Sequence, residues 1–185
     1  MKLISKIVID HFRSIRNETI ENLGNFTALA GPNNSGKSNV LRALNAFFKN
    51  QTDSGVPVKF SQDYYRHDLK ARKAKKFSIT VRFDLPSSFK FRKKLEAVEQ
   101  LLGRSFTIQK LWTRANIVPQ YYLNDSSEQL DLEQRAQVEQ FLSLISFRYI
   151  PNRVLPLDII RDEHMALRDV LIRRLAKKAV HATNS

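Results

Sequence analysis

Apolar and polar positions in the first fifty residues predict two strands, a third short strand, a loop and a helix. β-Branched residues dominate residues 3–10, and a second run at 15–20 predicts the partner strand. The apolar run at 26–30 predicts a buried strand that leads into a glycine-rich loop. Beyond the loop, residues 39–48 have apolar side chains at helical spacing, so we expect an amphipathic helix there.

The rest of the chain alternates strand-like and helix-like patterns. Residues 77–85 alternate apolar and polar side chains and predict the clearest half-buried strand. The other predicted segments are a surface loop at 51–57, one helical turn within 60–69, helices at 89–102, 130–145 and 159–180, and strands at 106–112, 117–123 and 147–150. This order predicts an α/β fold, in which a mixed sheet lies beside an antiparallel β subdomain.

Composition bounds the class of protein. The 185 residues suffice for about one domain with a sizeable core, and 42% of them are hydrophobic. No apolar run reaches the ~18 residues that a membrane span needs, and the N-terminal segment lacks the apolar core of a signal peptide. The absence of cysteine excludes disulfides and thiolate metal sites. We therefore expect a cytoplasmic protein without a membrane partner.

An excess of basic residues adds to this picture. The chain carries 31 Lys and Arg against 18 Asp and Glu, a formal net charge of +13. This charge favours a polyanionic partner such as DNA, although an acidic complement on another chain or segment explains it equally well. One basic cluster comprises Lys70, Arg72, Lys73, Lys75 and Lys76, and a second comprises Lys90, Arg92, Lys93 and Lys94. Each cluster is interpreted either as a surface for a phosphate backbone or as a solvated face.

Residues 31–38 match the phosphate-binding pattern G-x-x-x-x-G-K-[ST], the P-loop or Walker A motif, at every fixed position. Glycine at Gly31 and Gly36 lets the backbone curve around a phosphate chain, and the following helix N-terminus attracts anionic oxygens. Lys37 is the predicted catalytic residue because it reaches the β- and γ-phosphates, and Ser38 is the predicted Mg²⁺ ligand. The predicted nucleotide-binding residues are Gly31, Pro32, Asn33, Asn34, Ser35, Gly36, Lys37, Ser38 and Asn39.

The loop and the residues before it resemble one family. Phe-Arg-Ser at 12–14 and Gly-Pro-Asn-Asn-Ser-Gly-Lys-Ser-Asn at 31–39 look like the N-terminal part of ABC-type ATPases of DNA maintenance and defence. This group includes the RecF, SMC and Rad50 relatives, and the resemblance is closest to the OLD (overcoming lysogenisation defect) family. It implies a P-loop NTPase, the N-terminal lobe of an ABC-ATPase head, which uses ATP and Mg²⁺. It also implies that Arg13 lies beside the nucleotide and that Asn34 helps to position the phosphates; the alternative for Arg13 is a solvated charge on a strand edge.

On this basis the chain divides into three regions. They are a P-loop nucleotide-binding core at 1–50, a β-rich lobe with inserted helices at 51–155, and a basic helix and tail at 156–185 that leads towards a C-terminal part. We expect the parent protein to be a homodimer, because the resemblance implies that ATP binds between two heads.

Parts of a complete ATPase head are missing from the sequence. The resemblance implies an Asp-Glu pair after an apolar strand, to orient Mg²⁺ and polarise the attacking water. The pair Asp162-Glu163 follows the charged Arg161, and we therefore reject it. Closely spaced signature glycines and the Asp-x-Asp centre of an OLD-type nuclease are also absent. We expect the remainder of the head, or a second chain, to complete the site.

Three functions are compatible with these patterns. The first is an ATP-binding lobe of an OLD-, RecF- or SMC-like ATPase in DNA repair or phage defence, which hydrolyses ATP when completed. The second is a non-catalytic, nucleotide-gated module that binds DNA or protein. Another P-loop class is disfavoured, because the Asn-Lys-x-Asp motif of GTPases is absent and two strands precede the loop. His67 is interpreted as a surface residue in preference to a nucleotide or DNA contact.

Overall fold

A computed structural model of the chain describes residues 3–33, 35–65, 67, 75–91, 95–116 and 118–151. The chain divides into two compact units, Met1–Tyr149 and Ile150–Ser185. Every helix and strand that the structure describes belongs to the first unit. The helix predicted at 159–180 and the rejected pair Asp162-Glu163 lie outside the described residues.

Seven strands are found in the described part of the chain. They are β1 (Ile4–Phe12), β2 (Ile15–Glu21), β3 (Gln51–Asp53), β4 (Val56–Pro57), β5 (Lys76–Asp84), β6 (Ser105–Thr113) and β7 (Gln120–Leu123). Five of them form one sheet in the order β2-β1-β5-β6-β7, and β3 pairs with β4 in a small hairpin at the predicted surface loop. All of these pairs are antiparallel, so the sheet that was predicted to be mixed is antiparallel within the described residues.

The register brings the turn between β1 and β2 to the end of the sheet where β5 begins. Asp10 pairs with Ser78 across β1 and β5, and β5 starts opposite the last residue of β6. The Phe12 and Phe77 rings lie 5.5 Å apart at this end, and Phe77 stacks on Trp112 at 5.0 Å. We call this the loop end of the sheet, because the glycine-rich loop follows β2 and contacts the β1–β2 turn there.

Two helices cover one face of the sheet. The helices that the structure describes are α1 (Lys37–Lys49), α2 (Phe60–Asp63), α3 (Glu96–Leu102) and α4 (Leu132–Ser143). Phe47 of α1 and Phe141 of α4 place their rings 6.4 and 5.3 Å from Phe83 of β5, so both helices pack on the face that β5 buries. None of these helices is both long and apolar enough to span a membrane.

Three predicted elements differ from the structure. The strand predicted at 26–30 is not formed, and Phe26 is 88% exposed, because no described strand lies beside it to pair with its backbone. The strand predicted at 147–150 is likewise absent and has no sheet neighbour. Only Glu96–Leu102 of the helix predicted at 89–102 is helical, since residues 86–89 form a turn in which the Phe89 N–H donates to the Pro86 carbonyl.

The predicted regions 1–50 and 51–155 contribute strands to the same sheet. β1 and β2 belong to the first region, and β5, β6 and β7 belong to the second. The hydrogen-bonded pairing of β1 with β5 therefore joins the predicted nucleotide-binding core to the β-rich lobe. The three-region division itself stays a prediction.

Candidate nucleotide-binding site

The phosphate loop, residues 31–38, continues directly into α1. Gly36 has φ 92° and ψ −1°, a left-handed conformation that glycine adopts without strain. Its carbonyl accepts hydrogen bonds from the N–H groups of Asn39 (2.8 Å) and Val40 (3.1 Å), which close the first helical turn. This first turn carries no acidic side chain. The N-terminal end of α1 therefore presents its positive dipole end to the loop, an arrangement that favours an anion.

Lys37 is held inside the curve of the loop. Its Nζ donates to the carbonyl oxygens of Gly31 and Pro32, each at 2.6 Å, and to Ser35 Oγ at 3.3 Å. All three acceptors belong to the loop, so the ammonium group lies where the loop encloses it. A phosphate oxygen is a charged acceptor and forms a stronger hydrogen bond than a carbonyl oxygen. A bound phosphate can therefore replace the loop carbonyls as the partner of Lys37.

Close packing requires glycine at both fixed positions of the loop. A Cβ on Gly31, where φ is 152°, would lie 3.1 Å from Ser35 Oγ, and a Cβ on Gly36 would lie 3.3 Å from Ser14 Oγ. The Ser14 hydroxyl also accepts a hydrogen bond of 2.8 Å from Asn39 Nδ2. The turn between β1 and β2 thus packs directly against the junction of loop and helix.

Arg13 is oriented by a buried carboxylate. It adopts a left-handed backbone conformation, φ 52°, and its N–H donates to the Asp63 carbonyl at 2.7 Å. Its Nε donates to Asp63 Oδ1 at 2.8 Å, and Oδ2 accepts the Lys59 N–H at 2.8 Å. Because Asp63 is only 1% exposed, these donors are what compensate its buried charge. Arg13 is therefore a paired side chain rather than a solvated charge, while its predicted contact with nucleotide stays a prediction.

Asp63 is a site residue that the sequence analysis missed. It ends α2, whose Phe60 ring packs 5.7 Å from Phe77 and 5.2 Å from Tyr64. This packing fixes the short helix against the loop end of the sheet and so positions the carboxylate beside Arg13. The available signal was an acidic residue within an aromatic segment, and nothing in the periodicity of that segment distinguishes Asp63 from a surface residue.

A cavity of about 480 Å³ opens beside the junction of loop and helix. The described residues that line it are Arg13, Ser14, Asn39, Gln62 and His67. Its volume lies in the range typical of small-molecule sites. His67, interpreted from the sequence as a surface residue, is exposed but also lines this cavity, with its ring 5.2 Å from that of Tyr65. None of the described lining residues is acidic.

A polar network fixes the orientation of Asn39 and braces the first half of α1. Arg42 donates from Nη1 to Asn39 Oδ1 at 3.3 Å and from Nε to Asp53 Oδ2 at 2.9 Å. Tyr149 Oη donates to Asp53 Oδ1 at 3.0 Å. Burial raises the pKa of Tyr149, and its hydrogen bond to the Asp53 carboxylate acts in the same direction, so the phenol remains a donor. Asn39 is therefore held both by Arg42 and by Ser14.

The structure brings the described loop residues, Asn39 and Arg13 together at the loop end of the sheet. Asn34 lies outside the described residues, as do Lys70, Arg72 and Lys73 of the first basic cluster and Arg92, Lys93 and Lys94 of the second. Lys75 is half-buried, and the exposed Lys76 opens β5 at the same end of the sheet as Arg13. The contribution of the clusters to nucleic-acid binding stays a prediction.

The chain is similar in sequence to one family model and to several known proteins. The family model described as "AAA ATPase domain" matches residues 1–146. The chain is 34% identical over 98 residues to the uncharacterized protein MJECL44 of Methanocaldococcus jannaschii, and this match covers 50% of this chain and 27% of that protein. It is 34% identical over 87 residues to the chromosome partition protein Smc of Synechocystis, and this match covers 46% of this chain and 7% of Smc.

A solved structure of the recombination mediator protein RecF with ATP is also similar. It is 17% identical, has a TM-score of 0.47, and the match covers 70% of this chain and 28% of RecF. The family match confirms the predicted ATPase resemblance and the P-loop fold, and the similarity to Smc agrees with the predicted resemblance to SMC-type ATPases. The narrower resemblance to the OLD family stays a prediction. The chain spans about a quarter of the length of MJECL44 and a smaller share of Smc.

Proposed function

This chain belongs to the AAA ATPase domain family, and from that premise we propose that it is the ATP-binding lobe of an OLD-, RecF- or SMC-like ATPase. In this proposal it hydrolyses ATP when a C-terminal lobe and a dimer partner complete the head. The observation that carries the proposal is the position of Lys37, which lies inside a glycine-bounded loop at the N-terminus of α1, beside a polar cavity.

The residues present fit the triphosphate of ATP. Two glycines leave room for it in the loop, the helix N-terminus favours its charge, and no carboxylate in the first turn of α1 repels it. When the nucleotide binds, we expect Lys37 to exchange the carbonyls of Gly31 and Pro32 for phosphate oxygens. The Ser38 hydroxyl would supply one ligand to Mg²⁺, and Asn34 would help to position the phosphates. Mg²⁺ would neutralise charge on the transferring phosphoryl group.

The cavity beside the loop is the place that we assign to the rest of the nucleotide. The Arg13 guanidinium, held by Asp63, donates towards anionic or carbonyl oxygens, and the Gln62 amide can both donate and accept. His67 offers a ring for stacking and a nitrogen for hydrogen bonding. These groups suit a ribose and a base, whereas the loop suits the phosphates.

Two observations support a head that is completed elsewhere. None of the described residues that line the cavity is acidic, and the nearby Asp63 is occupied by Arg13 and Lys59. A carboxylate that polarises the attacking water must therefore come from another part of the protein or from a second chain. In addition, the apolar segment 26–30 leads into the loop with Phe26 exposed, as expected for a strand whose neighbours lie outside the described residues.

The proposal is tested by measuring Mg²⁺–ATP binding and turnover for the chain and two variants. Lys37→Ala should lower ATP affinity by at least about tenfold, because it removes a charge-assisted hydrogen bond to phosphate. The matched control is Lys6→Ala. Lys6 is a partly exposed lysine whose ion pair with Glu21 lies away from the loop and contributes little. Turnover by the wild-type chain should not exceed that of Lys37→Ala. Absence of ATP binding would contradict the proposal, and rapid turnover would contradict the need for completion.

A role in DNA repair or phage defence, in the cytoplasm and as part of a homodimer, belongs to the same proposal. The net charge of +13 and the position of Lys76 at the loop end of the sheet favour DNA as a partner. They also motivate the second candidate, a non-catalytic module whose binding to DNA is controlled by nucleotide. Duplex DNA binding by the chain, measured with and without ATP, tests the second candidate. Binding that ATP controls and that weakens steeply with salt would support the module, whereas binding that ATP leaves unchanged would contradict it.

A further inference from the structure

The far end of α1 borders a second cavity. It has a volume of about 370 Å³ and lies between the C-terminal end of α1, the strands β6 and β7, and α4. Lys49, Asn50 and Glu139 are exposed at its mouth, whereas Lys110 and Tyr121 are buried at its floor. Because α1 has 13 residues, this cavity is separated from the phosphate loop by roughly 20 Å of helix. It is therefore not part of the nucleotide site.

The floor of this second cavity holds a buried charge whose described contacts are aromatic rings. Lys110 lies on the core face of β6, between Ile79 of β5 and Tyr121 of β7 in the sheet register, and it is only 2% exposed. Its Nζ lies 5.3 Å from the centre of the Phe47 ring and 4.8 Å from that of Tyr121. Among the described residues, none forms a hydrogen bond or an ion pair with it. A buried ammonium normally has such a partner, because burial removes its hydration.

The nearest carboxylate is occupied by other donors. Glu139 Oε1 accepts from Tyr121 Oη at 3.0 Å, and from Arg135 Nε at 3.1 Å and Nη2 at 3.0 Å. The Arg135 guanidinium also balances the charge of Glu139, so Glu139 compensates the charge of Lys110 only in part. Lys49 adds a further positive charge at the mouth. The cavity is therefore net positive, with one buried ammonium at its floor.

We propose that this cavity binds a small apolar monocarboxylate, whose carboxylate accepts hydrogen bonds from Lys110 Nζ. The Asn50 amide can supply a further donor at the mouth. Phe48, Leu142 and Ile145 form an apolar wall that would contact the carbon body of the ligand. One negative charge matches the single buried ammonium, whereas a phosphate dianion would carry excess charge beside Glu139.

Titration of Lys110 gives this binding a pH dependence. Burial lowers the pKa of Lys110 to about 8, the Glu139 carboxylate opposes this shift, and the Arg135 guanidinium adds to it. The other charged or titratable groups at the cavity are Lys49 on α1 and Tyr121 on β7, and burial raises the pKa of Tyr121. Tyr121 therefore stays neutral while Lys110 loses its proton. We expect the affinity for the carboxylate to fall above pH 8. The fall is about tenfold per pH unit when only the protonated form of Lys110 binds the ligand.

The test measures benzoate binding by calorimetry at constant ionic strength, with chloride as the balancing anion. Wild-type protein should bind benzoate saturably. Lys110→Met should bind it at least about tenfold more weakly, because the variant cannot form the charge-assisted hydrogen bond to the carboxylate. Lys6→Met, the same substitution at a partly exposed lysine, should bind as the wild type does. Lys37→Ala should also retain benzoate binding, because the phosphate loop is not involved.

A second variant blocks the cavity without altering Lys110. Ser143 lies at the mouth, is exposed, and donates to the Gln140 carbonyl, so Ser143→Phe adds a ring there without burying a charge. It should weaken benzoate binding while the protein stays folded. Equal benzoate affinity in wild type, Lys110→Met and Ser143→Phe would overturn the proposal. Phosphate binding as strong as that of benzoate in the Lys37→Ala background would overturn the choice of a carboxylate. Failure of ATP binding would leave these outcomes unaffected.

Discussion

The substitution Lys110→Met removes a charge that the fold holds in its core. Methionine is unbranched, and its sulfur contacts aromatic rings favourably, so the side chain keeps its place between the Phe47 and Tyr121 rings. The carboxylate of Glu139 keeps its hydrogen bonds from Tyr121 and Arg135. The variant therefore loses a buried ammonium that has no hydrogen-bond or ion-pair partner in the described part of the chain, and it opens no void. We expect it to be more stable than the wild type at pH 7.

The magnitude follows from the pKa of Lys110, which burial lowers from 10.5 to about 8. At about 1.4 kcal/mol per pKa unit, the protonated side chain destabilises the native state by about 3 kcal/mol below pH 8. In the unfolded chain lysine keeps its proton up to its ordinary pKa. The unfolded state therefore binds more protons between pH 8 and 10.5, and the wild-type free energy of unfolding rises with pH across that window.

Urea denaturation of both proteins from pH 6 to 11, in chloride buffers free of carboxylates, measures this effect. The variant should exceed the wild type by up to about 3 kcal/mol below pH 8, and the difference should decline towards zero near pH 10.5. Other titrating groups are common to both proteins and cancel in the difference. Lys6→Met should change stability by less than about 1 kcal/mol at every pH. A difference that is constant with pH, or a wild type that is more stable at pH 7, would refute the reasoning.

Three further predictions concern stability and the candidate nucleotide site. Gly36→Ala should cost about 1–2 kcal/mol in urea denaturation and abolish ATP binding, because alanine is strained at φ 92° and its Cβ meets Ser14 Oγ; unchanged ATP affinity would contradict this account. Asp63→Asn should destabilise by about 2–3 kcal/mol and weaken ATP binding, since it leaves the Arg13 guanidinium without its carboxylate; a neutral effect on both would exclude Asp63 as the residue that positions Arg13. Phe141→Ala should cost about 3–5 kcal/mol without changing ATP affinity per folded molecule, because it opens a void between α4 and the sheet.

Periodicity predicted the elements whose residues have one buried face. β5 and β6 alternate because α1 and α4 cover one side of the sheet, and α4 shows helical spacing after its Asp131 capping box. The same alternation indicates that Lys110 is buried. It occupies an inward position of β6 together with Phe106, Ile108 and Trp112, so its burial could have been predicted from the pattern. Its lack of a hydrogen-bond or ion-pair partner among the described residues could not have been predicted, because the partners of a strand residue come from other elements.

Residues whose roles depend on the docking of distant elements could not be predicted from the sequence. The P-loop motif predicted a glycine loop that continues into a helix, and α1 does begin at Lys37 directly after Gly36, because the motif is itself a local structure. Asp63 acquires its role only when α2 docks on Phe77 and meets the β1–β2 turn, 50 positions earlier in the chain. His67 reaches the cavity through the same docking. Neither residue repeats with a period that sequence analysis can detect.

The segment 26–30 shows how a correct local pattern can fail without its neighbours. Its apolar side chains suit a buried strand, yet strand formation needs a hydrogen-bonding partner, and β2 on the outer edge of the described sheet does not pair with it. The segment leads straight into Gly31, so a strand added alongside it in parallel would also end near the phosphate loop. An acidic residue placed just after such a strand would lie close to the Mg²⁺ and the γ-phosphate. In the head that we propose, one and the same part would therefore supply both the neighbour of this segment and the carboxylate, neither of which is found at the site among the described residues.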